Sequence, residues 1–142
     1  METNEMILEF DSKSENEGFA RVSVASFCSA VVKDIETLSD IKTAVSEAVT
    51  NSIVHGYADE IGEIILEAEH DGETLHINVF DDGVGIDNVE EAQEPFYTTK
   101  PDEERSGMGF TIMKSFMDEV RVVSKKGCGT KIYMSKKLKT DA

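Results

Sequence analysis

The chain has 142 residues, of which 14 are basic and 29 acidic, and its formal net charge at pH 7 is -15. We expect residues 1–142 to form a single domain, because a chain of this length buries enough surface for one core. The negative charge disfavours direct binding to a nucleic-acid backbone, and no apolar run approaches the roughly 20 residues that span a bilayer. The acidic N-terminal segment is unlike a signal or transit peptide, so we expect a cytoplasmic protein with no membrane segment.

The first part of the chain predicts one strand and two helices. Alternating apolar residues predict a strand over residues 5–10. Ser14 and Glu17 have the spacing of a capping box and predict a helix that runs to about Val32. A second apolar stripe at helical spacing predicts a helix that ends near Gly56.

The remainder of the chain predicts two hairpins, a long loop and a further helix. Alternating residues 64–68 and 75–79 flank an Asp-Gly turn signal and predict the first hairpin. Residues 87–108 contain both prolines and little periodicity, which is typical of a functional loop. The last helix and the two strands of the second hairpin are predicted at residues 109–117, 120–124 and 130–138.

A row of polar side chains lies on one side of the second predicted helix. Glu47, Asn51 and His55 are four residues apart, so each is rotated by only about 40° from the last. A carboxylate and an amide oxygen one turn apart can share the hydration shell of Mg2+, which prefers oxygen ligands. Taken alone, such a row is more often simply the solvated face of a helix. His55 and Gly56 together are typical of a helix C-terminus.

Three glycine-containing motifs follow this helix. Asp81-x-Gly83-x-Gly85 comes directly after a predicted strand, where the glycines permit close backbone approach and the carboxylate can accept an amino proton. Ser106-Gly107-Met108-Gly109 precedes a predicted helix, so its N–H groups can face a phosphate chain. Gly129-Thr130 begins the last predicted strand. Each motif alone is also typical of an ordinary turn or helix entry.

The order and spacing of four elements resemble the Bergerat-fold ATPases, which include gyrase, chaperone, mismatch-repair and histidine-kinase ATPases. The four elements are Glu47-x-x-x-Asn51, Asp81-x-Gly83-x-Gly85, Gly107-x-Gly109 and Gly129-Thr130. Within this superfamily the chain is most similar, over nearly its whole length, to the anti-sigma-factor serine kinases of sporulating bacteria. Residues 45–51, 55–57 and 105–113 carry this closer resemblance.

The resemblance implies a fold of the α/β class in its α+β form. In this fold, the Bergerat ATP-binding fold, two layers form a sandwich, and a mixed, mainly antiparallel sheet is covered on one face by helices. The resemblance also implies a mobile lid over about residues 95–107 that closes on the nucleotide.

ATP or ADP and Mg2+ are the cofactors that the resemblance implies. Glu47 would be the general base and Asn51 would hold the Mg2+ ion. Asp81 would accept the amino group of adenine, with Thr130 supporting the base beside it. The residues expected around the nucleotide are Asn51, Asp81, Gly83, Gly85, Ile86, Thr99, Lys100, Ser106, Gly107, Met108, Gly109, Phe110 and Thr130.

Three cations have roles that the resemblance leaves more open. Lys100 and Arg105, in the lid, could reach the terminal phosphates, which would make Arg105 catalytic. The alternatives are that both are solvated or that Arg105 contacts the protein substrate. Arg21, on the first helix, matches a position that contacts protein partners in this family.

The function that the resemblance implies is that of a serine kinase acting on an anti-anti-sigma protein. With nucleotide bound, the same protein would sequester a sporulation sigma factor of the F type. The resemblance further implies a homodimer, for which the unpaired edge of the first strand offers a surface.

Two alternative functions stay open. One is a nucleotide-gated protein-binding module without phosphotransfer, which the intact Glu47 disfavours. The other is the detached ATP-binding domain of a histidine kinase, because residues 95–100 also resemble the lid of that group. None of His55, His70 and His76 lies in a predicted helical hairpin that could carry a phosphorylated histidine, which disfavours this second alternative.

Overall fold

The computed structural model describes residues 3–94 and 109–138, which form a five-stranded sheet with helices against one face. The strands are β1 (Asn4–Asp11), β2 (Glu63–His70), β3 (Thr74–Asp81), β4 (Glu119–Ser124) and β5 (Thr130–Lys137). The helices are α1 (Glu15–Cys28), α2 (Ile35–Asn51), α3 (Val89–Ala92) and α4 (Gly109–Phe116), and a π-helical turn (Ser52–Gly56) continues α2. Within the described residues, no helix is long and apolar enough to cross a membrane.

The strand order is β1-β2-β3-β5-β4, and each of these neighbouring pairs is antiparallel. Asp81, the last residue of β3, lies opposite Ile64 of β2 on one side and Thr130 of β5 on the other. The predicted fold class is confirmed, and the sheet expected to be mainly antiparallel is antiparallel at every described pairing. The end of β3 is therefore in the middle of the sheet, with a strand on each side.

The helices cover one face of the sheet because alternate residues of the central strands are apolar and point to that side. Helices α1 and α4 both pack against α2. Eight of the larger side chains with almost no exposed surface come from α2, α4 and the three central strands: Ile41, Ile64, Leu66, Leu75, Ile77, Met113, Ile132 and Met134. Packing of these buried side chains fixes the distance between α2 and the sheet.

The first helix begins directly after Ser14, as predicted, but its capping bonds and its C-terminal end differ from the prediction. Ser14 makes no side-chain capping bond, and the Glu17 carboxylate instead accepts a hydrogen bond from Ser46 of α2. The helix ends at Cys28 rather than near Val32, and the N–H groups of Val31 and Val32 both bond to the Cys28 carbonyl after it. The capping-box interpretation was wrong, since a contact with α2 competes for the Glu17 carboxylate.

The second helix begins earlier than its apolar stripe indicates. Asp34 is the N-cap residue, and its carboxylate accepts hydrogen bonds from the N–H and hydroxyl groups of Thr37. These bonds satisfy helix N-terminal donors and so start α2 at Ile35. The predicted loop over residues 87–108 also contains the short helix α3, which Asn88 caps.

Candidate functional site

The C-terminal end of α2 reaches the end of β3 through its π-helical turn. The N–H group of Tyr57 bonds to the Ser52 carbonyl at 2.9 Å, five residues back. The turn directs the Ser52 hydroxyl to Asp81, and it donates to a carboxylate oxygen of that residue at 2.7 Å. Asn51 directly precedes Ser52, and Glu47 lies one helical turn before it; both are partly exposed. The predicted polar row and Asp81 are therefore brought to the same end of the sheet.

Asp81 is a buried carboxylate, 5% exposed, at the centre of this region. It accepts hydrogen bonds from the Ser52 hydroxyl and, at 2.9 Å, from the Gly83 N–H group. Burial raises the pKa of the Asp81 carboxyl above its ordinary value, and hydrogen bonds from Ser52, Gly83 and Thr130 oppose the rise. These hydrogen bonds hold the Asp81 carboxylate in a fixed orientation. Asp81 is the residue predicted to accept the amino group of adenine.

The glycines after Asp81 permit close packing of the backbone. A Cβ atom on Gly83 would lie 2.1 Å from the carbonyl oxygen of Gly56, in the π-helical turn. Gly85 has a φ of +75°, and a Cβ there would lie 2.0 Å from the carbonyl oxygen of Lys125. Any larger residue at either position would separate the loop from its neighbours. The Asp81–Gly85 motif is thus fixed between the end of α2 and the turn that joins β4 to β5.

The π-helical turn that continues α2 ends at Gly56, where the helix end was predicted, although Gly56 is not among the described glycines with positive φ. Gly56 leaves room for the Asp81 carboxyl, whose three atoms would each be 3.0 Å from a Cβ on Gly56. The sequence pattern predicts the helix end at this glycine but not its position beside the Asp81 carboxyl.

Two residues that were not predicted as part of the site hold its backbone in place. The Tyr57 hydroxyl donates to the Glu63 carbonyl at 2.6 Å and accepts from the Asp82 N–H group at 2.7 Å. The Ser124 hydroxyl accepts from the Ile86 N–H group at 2.8 Å and lies 2.8 Å from the Thr130 hydroxyl. Tyr57 lies in residues 55–57, one of the segments that carry the family resemblance, but no role in the site was predicted for it. Nothing in the local pattern around Ser124 signals its role.

The remaining predicted residues fall into two groups. Gly109 and Phe110 begin α4, and the Phe110 side chain is buried in the core, so only its backbone is free to face a ligand. The predicted lid over residues 95–107 lies outside the described residues. The site residues Thr99, Lys100, Arg105, Ser106, Gly107 and Met108 lie outside them as well.

Arg21 lies on α1, and its side chain is connected to α2 through Glu17. Its Nε atom is 3.3 Å from a carboxylate oxygen of Glu17, which also accepts a hydrogen bond from Ser46. Ser46 immediately precedes Glu47. A line of side chains therefore connects the predicted partner-binding residue to the helix that carries the predicted general base.

Comparison with known proteins assigns the chain to a family. Residues 10–136 match the family of the histidine kinase-like ATPase domain. The chain is 59% identical over 138 residues to the anti-sigma F factor of Clostridium perfringens strain SM101, covering 96% of this chain and 99% of that protein. It is 55% identical to the anti-sigma F factor of Clostridium novyi, with 99% of both chains covered. The chain belongs to the histidine kinase-like ATPases, and within them to the anti-sigma F factor family.

A solved structure supports the same fold. The chain is similar, with a TM-score of 0.70, to the crystal structure of the RsbU and RsbW domains of Rv1364c from Mycobacterium tuberculosis. The similarity covers 98% of this chain but only 34% of that longer chain, at 19% identity. At this identity the similarity shows the fold alone. The family predicted from four motifs is confirmed.

Proposed function

We propose that this chain is a cytoplasmic anti-sigma factor and serine protein kinase that uses Mg2+ and ATP. The observation that carries the proposal is the convergence of the α2 end, the buried Asp81 carboxylate and Thr130 at one end of the sheet. Membership of an ATPase family and the name of its close relatives support the two halves of the proposal.

The residues around Asp81 fit an adenine nucleotide. The carboxylate is buried, so a hydrogen bond from the adenine amino group would form away from competing water. The loop from Asp81 to Gly85 is fixed on both sides by backbone contacts, so the acceptor is held before the ligand arrives. ATP supplies the γ-phosphoryl group that is transferred.

The described residues would hold Mg2+ only together with the phosphates of a bound nucleotide. Among residues 3–94 and 109–138, no group of three or more His, Cys, Asp and Glu side chains could hold a metal ion. Mg2+ commonly takes one or two protein oxygens and completes its shell with phosphate oxygens and water. Asn51 would supply the amide oxygen, and the ion would neutralise phosphate charge.

Glu47 is the general base of the proposed reaction. Its carboxylate would take the proton of the substrate serine as the serine oxygen bonds to the γ-phosphorus. The bond from that phosphorus to the bridging oxygen breaks, and ADP leaves. Positioning and charge neutralisation supply most of the rate increase in such transfers. Lys100 and Arg105 would add positive charge at the phosphates.

The proposed partners are a sporulation sigma factor of the F type and an anti-anti-sigma protein that carries the serine. Arg21 is the residue we expect at the partner surface. We further propose a homodimer that uses the exposed edge of β1, one of the two outermost strands of the described sheet. A sheet edge presents unpaired N–H and C=O groups to a second chain.

The test of the kinase is transfer of labelled phosphate from ATP to the purified anti-anti-sigma protein. We expect phosphoserine on that protein, and we expect Glu47→Ala to lower the rate at least about a hundredfold while ADP binding is kept. Glu36→Ala is the matched control, because Glu36 is exposed at the start of the same helix. It should transfer phosphate at the parental rate.

Two other results would replace the proposal. Sigma-factor binding that depends on ATP, without any transfer to the serine protein, would indicate a nucleotide-gated binding module. Label that appears on a histidine of this chain would indicate histidine-kinase chemistry. A Glu47→Ala variant that transfers phosphate at the parental rate would remove Glu47 from its role.

A further inference from the structure

The Ser124 hydroxyl, at the end of β4, contacts three groups of the candidate site. It accepts a hydrogen bond from the Ile86 N–H group, at 2.8 Å. It donates to the Gly129 carbonyl oxygen, at 2.8 Å, and its oxygen lies 2.8 Å from the Thr130 hydroxyl oxygen. One side chain thus joins the loop after Asp81 to the first residue of β5 and to the residue before it.

The number of protons available determines the direction of the bond between Ser124 and Thr130. A serine hydroxyl has one proton to donate and can accept two hydrogen bonds. The carbonyl oxygen of Gly129 can only accept, so the Ser124 proton is used there. All three contacts form together only if Thr130 donates its own proton to Ser124. Ser124 then uses its full capacity of one donated and two accepted bonds.

This direction leaves the Thr130 oxygen as an acceptor only. Thr130 is 3% exposed and lies opposite Asp81, whose carboxylate is also an acceptor. Two acceptors therefore adjoin at the end of the sheet. The 6-position of adenine carries an amino group with N–H donors, whereas a 6-oxopurine carries an acceptor oxygen there. The pair of acceptors complements the amino group and repels the oxygen.

We infer that Ser124 is a positioning residue that selects adenine by fixing the direction of the Thr130 hydroxyl. The inference rests on the proposed nucleotide site and adds to it a determinant of base selectivity. Without Ser124, the Thr130 hydroxyl is free to rotate and to donate to a 6-oxo group. Loss of Ser124 therefore weakens discrimination between bases as well as affinity.

The experiment compares the binding of ADP and inosine diphosphate, which carries oxygen in place of the amino group, by titration calorimetry. The parental protein should bind ADP more tightly. In Ser124→Ala, the ratio of the two affinities should fall about fivefold, the size expected for one neutral hydrogen bond. Thr130→Val, which removes the hydroxyl, should also lower the ratio. The double variant should show no further fall than Thr130→Val alone, because both changes act through one hydroxyl.

The controls separate selectivity from stability. Ser124→Thr keeps a hydroxyl and should keep the parental ratio. Ser29→Ala removes a hydroxyl that bonds only to the Ser26 carbonyl at the exposed end of α1, and it should also keep the ratio. Thr130→Val provides an independent test if Ser124→Ala does not fold.

Several results would overturn the inference. An equal loss of affinity for both nucleotides in Ser124→Ala would reduce Ser124 to a structural role. An unchanged ratio in Thr130→Val would remove the proposed acceptor. A parental protein that binds ADP and inosine diphosphate equally would overturn the selectivity but leave the nucleotide site standing. Failure of the parental protein to bind either nucleotide would overturn the proposed function as well.

Discussion

Two opposing effects act on the Asp81 carboxylate. Burial disfavours its charged form, whereas hydrogen bonds from Ser52, Gly83 and Thr130 favour it. Burial is the larger effect, so the pKa stays raised. The hydrogen bonds nevertheless hold both oxygens in fixed directions, which a ligand donor needs. Ser52 is the one side-chain donor among the three and can be removed without changing the backbone.

Ser52→Ala should make the function of Asp81 more sensitive to acid. Loss of the hydroxyl bond raises the Asp81 pKa further, so ADP affinity should begin to fall at a higher pH than in the parental protein. The measurement is ADP affinity at intervals between about pH 4 and 8. Asp81→Asn is the control, since it should bind ADP weakly and without this pH dependence. Superimposable pH profiles for Ser52→Ala and the parental protein would contradict the prediction.

The raised pKa of Asp81 also determines whether this group stabilises the folded state more at low or at high pH. The folded state holds the Asp81 proton more tightly than the unfolded state, so this group favours folding most at low pH. Its contribution decreases as pH rises from the ordinary aspartate range through the raised pKa. Urea unfolding midpoints over this range should decline more steeply in Ser52→Ala.

Motif residues of the site could be predicted from the sequence, whereas their supporting hydroxyls could not. Asp81 and Thr130 stand beside glycines at recognisable spacing. Ser52 reaches Asp81 across 29 residues of sequence, and Ser124 reaches Ile86 across 38. Neither serine belongs to a motif that signals its role, and that role exists only once strands and helices are assembled.

At the scale of elements, the strands were predicted well because burial of one face imposes a strict alternation. The ends of the helices were predicted less well because single side-chain bonds decide them, as the bonds that Thr37 donates to the Asp34 carboxylate do for α2. The π-helical turn was not predicted at all, since its apolar residues fit an α-helix equally well. Such turns frequently mark functional sites.

The π-helical turn packs closely against the loop from Asp81 to Gly85, and we therefore make a prediction about Gly83. In Gly83→Ala, the added Cβ would overlap the Gly56 carbonyl, so the loop and the turn must separate. We expect the free energy of unfolding to fall by roughly 2–4 kcal/mol and ADP binding to be lost. Urea denaturation and calorimetry measure the two effects.

Gly127→Ala is the matched control for this change. Gly127 has a φ of +81°, but a Cβ there would meet nothing within 4 Å. Its cost is therefore backbone strain alone, about 1 kcal/mol. Equal costs for the two variants would show that the contact between Gly83 and Gly56 contributes nothing.

At the scale of the whole molecule, strand order was the feature least accessible to local pattern. Periodicity identifies a strand and its buried face but not its neighbour, and β5 lies between β3 and β4 in the sheet although it follows both in sequence. The resemblance implied the sheet and its helical layer, and the register then explains why Asp81 and Thr130 meet. The same order makes β1 and β4 the two edge strands of the described sheet.

The proposed homodimer through β1 predicts different effects of a charge on the two edges. Ile7 of β1 is 58% exposed and Val123 of β4 is 48% exposed, so the two positions are comparable in a monomer. If the β1 edge is the interface, Ile7→Lys removes an apolar contact and adds a charge that must lose water on association. We expect the dissociation constant of the dimer, measured by analytical ultracentrifugation, to rise at least about tenfold for Ile7→Lys. Val123→Lys should leave it unchanged, and the reverse pattern would move the interface to the β4 edge.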